Sequence, residues 1–354
     1  MPSRRLLAAT SLLTLHVAVA FAACLSPNDF AEQHRNLPLS PPMKLRFLDE
    51  HGRWSLRPFV HPWAPREGLT YHEDRARRLP LRFWVEGSGY EILGMFPSRR
   101  HLFGLEEGEP LFLLGTDSYG RDCLARLLHG GQVSLSAGLL ATLVSCALAL
   151  VLGGLSGYHG GFPDRILMQV SDLFLALPWL YLLFAVRAFL PLDLSPASAF
   201  AIIVLLLGVI GWARPGRLVR GVVLSAKERE FVVAARAFGA TDGYILRKHV
   251  LPQALGVLLA QAAILIPVYI LAEVTLSFVG LGVSEPIPSW GTMLASLLEY
   301  HVLSSAWWMF APGVALVAVT WLYHACLERE PEATLGRWTP CKESHRLRKG
   351  DSIA

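Results

Sequence analysis

Long apolar runs leave a chain few folds to choose from, because every backbone N–H and C=O inside a hydrocarbon layer must find its partner within the protein. Here such runs lie at about 134–157, 168–190, 198–213, 254–282 and 305–327, and another covers 6–23 behind Arg4 and Arg5. At about 1.5 Å per residue, roughly 20 residues cross a bilayer core as a helix. The run at 198–213 is the shortest and reaches that length by extending into the region of Trp212. The expectation is an all-α integral membrane protein with six transmembrane helices. A chain that is 53% hydrophobic and only 17% charged is not a water-soluble enzyme with a helical tail. A net charge of +4 over 354 residues gives no ground for a nucleic-acid partner. Cys24, Cys123, Cys146, Cys326 and Cys341 are scattered without a C-x-x-C pair, so they read as packing residues, with neither a metal site nor a disulfide framework.

Composition divides the chain. Residues 1–25 read as a first transmembrane helix, although Ala20-Phe21-Ala22 also suits cleavage of a signal-like segment. Residues 26–110, with ten prolines and charges of both signs, read as an exported insert between helices 1 and 2. The alternation around Leu81, Phe83 and Val85 predicts a strand there. Residues 111–327 form the membrane domain, and 328–354 a cytoplasmic tail. The stretch 214–252 holds eight Lys and Arg against three acids, whereas 191–197 and 283–304 hold no Lys or Arg. The positive-inside rule therefore puts 214–252 in the cytoplasm, the other two loops outside, and both termini inside. Trp307 and Trp308 at the outer end of the last helix, and Trp321 and Tyr323 at the inner end, read as an aromatic belt.

Within 214–252, the segment Ser225–Leu255 is dense in basic residues and breaks at Gly239. Phe231, Ala235 and Phe238 share one side of a helix, and Arg229 and Arg236 another. Gly239 ends that helix, Thr241 or Asp242 can cap a second, and Pro252 is expected to stop it. Small residues at Ala234 and Ala235 beside the bend let another surface approach the backbone. A solvated loop is the plainer reading of the same charges.

A second stretch, Gly115-Thr116-Asp117-Ser118-Tyr119-Gly120-Arg121-Asp122, is physically a turn in which Gly115 and Gly120 allow positive φ, Thr116 or Asp117 can cap, and Asp122 opens a helix. It resembles the GTDxxGRD signature of the dipeptide and oligopeptide permease family of bacterial ATP-binding cassette importers. Leu276-Ser277-Phe278-Val279-Gly280-Leu281-Gly282 and Ser289-Trp290-Gly291 are similar to that family's LSFxGLG and WG segments. Ala234, Ala235, Gly239, Leu251 and Pro252 match its EAA loop, although the acidic position falls on Val233 and the isoleucine position on His249. The resemblance covers about 111–320 and fades at Leu327-Glu328-Arg329-Glu330-Pro331.

The resemblance implies a type I importer transmembrane domain in a bacterial inner membrane that carries peptides or related small solutes. It implies a heterodimer with a homologous permease, two cytoplasmic ATPase subunits docked on the EAA-like loop, and an external solute-binding protein. Cofactors would be absent from this chain, with ATP and magnesium on the ATPase subunits.

Inside the spans, Gly153 and Gly157 form a small-xxx-small pair read as dimer-face packing. Pro178 and Pro267 kink their helices. Glu273 lies deep in the fifth span, where an ionised carboxylate costs about 3 kcal/mol or more, so it should line the path or bond across helices; a protonated structural acid is the alternative. Asp172 is a weaker path candidate. The chain carries no G-x-x-x-x-G-K-[ST], H-E-x-x-H or G-x-S-x-G motif. Rival readings are a membrane-embedded enzyme using Glu273 or His159, and a receptor-like scaffold whose insert binds a partner.

Overall fold

The computed structural model describes residues 4–48, 54–66, 70–92, 96–105, 109–189, 191 and 194–327; the expected tail at 328–354 lies outside them. The first apolar run forms α1 (Arg4–Ala20) and a short α2 (Ala22–Leu25). The segment that follows is not helical. Its described residues form seven strands: β1 (Arg46–Leu48), β2 (Trp54–Val60), β3 (Trp63–Pro65), β4 (Tyr71–Glu73), β5 (Leu79–Pro80), β6 (Arg82–Ile92) and β7 (Phe96–Gly104). They pair as a three-stranded sheet β1-β2-β5, a ribbon β3-β4 and a hairpin β6-β7, all antiparallel. The expected strand starts just after Leu81 and is much longer than the alternation showed. The all-α expectation thus holds for the apolar runs and not for the insert.

The helical part begins with α3 (Cys123–Leu148), which continues through a π-helical turn at Ala149–Gly153 into α4 (Gly154–His159). These 37 residues span about 55 Å. Next come α5 (Gly161–Ala176) and α6 (Trp179–Ala188), then α7 (Pro196–Gly211) and α8 (Ala213–Ala226). Pro178 does more than kink its helix: α5 and α6 meet at 91°. Leu177 is forced extended by the proline that follows, and Pro178, itself extended, is the N-cap residue of α6. α7 and α8 meet at 45° at Trp212.

After α9 (Glu230–Ala237) and α10 (Asp242–Ile245), a second π-helical turn at Leu246–Val250 leads into α11 (Leu251–Phe278). Pro252 therefore does not stop the helix as expected. It sits in the first turn of α11, where its missing N–H costs least, and the wider turn upstream eases the clash with the preceding carbonyls. Pro267 lies buried inside α11 without breaking it. α12 (Trp290–Ala295), α13 (Tyr300–Ser305) and α14 (Ala311–Leu327) complete the described chain. Among the described residues, three helices are long and apolar enough to cross a membrane, or up to five if each bent pair is one span; α1 is a shorter apolar helix.

Ala137, Ala141, Leu183, Ile203, Leu207 and Leu276 make the central core, where α3, α6, α7 and α11 meet. Gly153 and Gly157 do not face a second copy. A Cβ at Gly153 would meet the Gly216 carbonyl oxygen at 2.3 Å, and one at Gly157 the Arg220 oxygen at 2.8 Å, so both serve close packing on this chain's own α8. The expected aromatic belt is also only half present: Trp307 and Trp321 are exposed, whereas Trp308 and Tyr323 are buried. Tyr323 sits 3.2 Å from the His16 ring nitrogen of α1, tying the first helix to the last.

Candidate functional site

Because α3 and α4 run the length of the bundle, they separate the bend at Gly239 from the turn at 115–122. At the far end of α4, the loop bends where expected: Gly239 has φ +84°, a conformation that glycine takes without steric cost. A Cβ there would meet nothing within 4 Å, so the position is fixed by its backbone and not by crowding. Val232, Ile245 and Val250 bury against Tyr158, Val219 and Val223 and anchor the underside. Ala234 is exposed and Phe238, at the tip, is 92% exposed. Ala235, expected on the outer surface, is half-buried against the underside cluster instead. Helical periodicity puts it closer to Val232, three residues back, than to the exposed Ala234.

Neither expected cap forms on α10. Thr241 is its N-cap residue but makes no side-chain cap bond. Asp242 turns away to accept from the Tyr158 hydroxyl at 2.6 Å and from Arg236 at 3.2 Å. Further ties hold the loop to the bundle: Arg220 grips Asp164 with two hydrogen bonds of 2.6 and 2.7 Å, and Lys227 donates to the Gly157 carbonyl at 3.1 Å. Asp172 pairs with Arg217, which also donates to Ser171 at 2.8 Å. Leu251 and Pro252 continue into α11, Leu251 half-buried and Pro252 exposed.

At the other end stands the signature turn. Gly115 and Gly120 take φ +71° and +75°, and a Cβ on Gly120 would lie 2.1 Å from the His34 carbonyl oxygen. Asp122 caps α3 by accepting from the Leu124 N–H at 2.9 Å and also accepts from Asn28. Complete burial pushes its carboxyl up to about 7. The Thr116 hydroxyl donates to the Leu37 carbonyl at 2.6 Å and accepts from the Ser40 N–H at 2.8 Å, so the turn seats the insert. Trp308 donates to the Thr116 carbonyl at 3.0 Å.

Asp117 accepts from the backbone of Tyr119 and Arg121 and from Arg121 Nε at 2.7 Å. Two residues that the sequence did not single out complete this cluster. Arg126, one turn into α3, approaches Asp117 at 3.6 Å and Glu285 at 2.8 Å, and Arg121 reaches Glu285 at 2.8 Å. Arg126 and Glu285 lie 159 positions apart in the sequence, a separation that leaves no local pattern.

Between the two ends, Glu273 is fully buried. Its Oε1 accepts from Ser277 at 2.7 Å; Oε2 has no hydrogen-bond partner among the described residues, and the Ser134 and Ser289 hydroxyls lie close to the carboxyl. Ser134 also accepts from the Trp290 N–H at 3.3 Å. Glu273 thus sits among α3, α11 and the start of α12, inside the chain and not on an open surface. Pro178, in contrast, is exposed, and its break opens beside an apolar cavity of about 300 Å³ lined by Leu177, Trp179, Leu183, Leu207 and Tyr269, with Gln261 and Arg214 as polar members.

Residues 149–328 match the family described as "Binding-protein-dependent transport system inner membrane component". The dipeptide transport system permease protein DppC of Bacillus subtilis (strain 168) is 36% identical over 200 residues, 56% of this chain and 60% of that protein. The oligopeptide transport system permease protein OppC of the same organism is 34% identical over 220 residues, 61% of this chain and 65% of that protein. The di/tripeptide transport system permease protein DppC of Pseudomonas aeruginosa (strain UCBPP-PA14) is 38% identical over 215 residues, 60% of this chain and 68% of that protein. The chain spans a little under two thirds of the length of the two Bacillus proteins. A solved structure, of inward-facing conformations of the MetNI methionine ABC transporter, aligns with 56% of this chain and 91% of that chain, at 22% identity and a TM-score of 0.43.

Proposed function

Since this chain belongs to the family of binding-protein-dependent transport system inner membrane components, we propose that it is the permease subunit of an ATP-driven importer of dipeptides or oligopeptides. In this reading it is a type I transmembrane domain with six helices, α1 and the bent pairs counted as spans, and the β-rich insert is exported. It makes half of the translocation path and pairs with a homologous permease. An external solute-binding protein delivers the peptide. Two cytoplasmic ATPase subunits hold ATP and magnesium; this chain carries no nucleotide chemistry of its own. Both termini lie in the cytoplasm of a bacterium, and the chain crosses its inner membrane several times.

One observation carries the proposal: an exposed two-helix elbow at Gly239, rigidly seated below and bare above, at the end of the bundle remote from the insert. Ala234 and Phe238 are its contact residues. A bare phenylalanine beside a small residue is what a knob entering another protein's groove requires, since apolar contact is gained only on docking. Leu251 and Pro252 pass that seating into α11, and so to Pro267 and Glu273. Pro178 and Asp172 stand where the α5–α6 break would let the path change width. Ala234→Asp tests the assignment, because the residue is exposed and its replacement costs the isolated chain little. Co-purification of ATPase subunits should fall at least tenfold with membrane insertion unchanged. Full co-purification would remove the elbow from the interface.

A further inference from the structure

The segment 279–289, between α11 and α12, is held by polar ties from three other parts of the chain. Arg187 in α6 donates from Nε to the Leu281 carbonyl at 2.7 Å. Ser134 in α3 accepts from the Trp290 N–H at the segment's far end. The signature turn and the start of α3 supply the third tie, Arg121 and Arg126 on Glu285. These ties differ in kind. Arg187, Ser134 and Trp290 are buried, so each bond there replaces water that cannot return. Glu285 is half exposed, at 50% of its side chain, while Arg121, Arg126 and Asp117 are only 10%, 2% and 7% exposed.

That asymmetry decides which side can let go. If Glu285 leaves, its carboxylate passes into water. Both guanidinium groups keep a carboxylate, because Asp117 lies 2.7 Å from Arg121 and 3.6 Å from Arg126 and is itself fixed by two backbone N–H groups. Separation at Glu285 therefore leaves no buried charge without a partner, the outcome that makes breaking an enclosed ion pair costly. Separation at Asp117 would. Two residues from Glu285, Val283 is 3% exposed and belongs to the central core with Leu183, Ile203 and Leu276.

We propose that Glu285 is the releasable arm of a latch: Arg121 and Arg126, held by Asp117, keep segment 279–289 closed over the outward end of the bundle, and solute entry requires its release. The inference rests on the transport reading above and assigns that reading a positioning residue. Glu285 binds no solute in this scheme; it sets whether Val283 plugs the core.

The test uses the full chain in native membranes, with Val283→Cys as the reporter and a membrane-impermeant maleimide, the modified position being identified by peptide mass. In that background Glu285→Gln should raise the rate at which the introduced thiol is modified about tenfold, since the charge-assisted bonds to both guanidinium groups are weakened, while Glu285→Asp should stay near the parent rate. An unchanged rate in Glu285→Gln overturns the latch. A second measurement separates it from simple loosening: with ATPase partners present, Glu285→Gln should lower peptide uptake per ATP hydrolysed several-fold, and an unchanged ratio also overturns it. Lack of uptake by the wild-type complex for every peptide would count against the transport reading, while the labelling rates would still decide the latch by themselves.

Discussion

Replacing Glu273 separates a tie from a passenger. The carboxyl is fully enclosed, one oxygen accepts from Ser277 at 2.7 Å, and the other faces Ser134 and Ser289 without a bond. Glu273→Gln keeps an acceptor for Ser277 and offers two N–H donors to the other hydroxyls. Its stability should therefore stay within about 1 kcal/mol of wild type, the net worth of one ordinary hydrogen bond. Glu273→Leu removes the acceptor and leaves the serines facing an apolar group. Each buried polar group so stranded costs roughly 1–3 kcal/mol, partly offset because Ser277 can turn back to a carbonyl one helical turn away. The expected order of stability is wild type, Gln, Leu, with a loss of about 1–3 kcal/mol for Leu. Thermal unfolding of the detergent-purified protein measures it, and uptake per inserted molecule should follow the same order. A Leu variant as stable and as active as wild type would refute the reasoning, because it would mean the serines gain nothing from the carboxyl.

Gly120→Ala should be far more damaging than its size suggests, at about 3 kcal/mol or more, because the methyl group meets the His34 carbonyl oxygen at 2.1 Å and the backbone has φ +75°; limited proteolysis should show the insert cut first. Asp122 gives a pH signature: its folded-state carboxyl is raised from 3.8 to about 7, so its contribution to stability is full below about 4 and is lost as pH rises through about 7. Asp122→Asn keeps an acceptor for the Leu124 N–H, so the difference in melting temperature between it and wild type should shift in the variant's favour between pH 4 and 7 and then level off. A difference independent of pH would contradict this.

What the sequence disclosed depended on how local the physics was. Gly115 and Gly120 announced positive φ, and Gly239 a bend, because each is a matter of one residue's backbone. Asp122 was legible as the opening of a helix, but the cap the sequence offered to Thr116 or Asp117 is made on α3 by Asp122 itself, which accepts from the Leu124 N–H. Prolines were legible as events but not in kind: Pro178 breaks its helix by 91°, Pro267 sits within an unbroken one, and Pro252 rides in a first turn. The difference comes from packing and from the π-helical turn ahead of Pro252, neither of which a proline alone reveals. Gly153 and Gly157 correctly signalled close helix contact, but not that the contact is with α8 of the same chain. The grip of Arg121 and Arg126 on Glu285, and the approach of Ser134 and Ser289 to Glu273, join residues up to 164 positions apart and were beyond any local pattern.

The central claim is that the elbow at Gly239 converts ATP hydrolysis on partner subunits into peptide movement through this chain. The most direct measurement is uptake of labelled di- and oligopeptides into proteoliposomes holding the complete complex, with ATP supplied on the elbow side and the solute-binding protein on the side of the insert. Peptide should accumulate only with hydrolysable ATP, and Gly239→Val, which strains a φ of +84° at a position whose Cβ would meet nothing within 4 Å, should abolish accumulation while the complex remains inserted. Wild-type accumulation by that variant, or accumulation without ATP hydrolysis, would contradict the account.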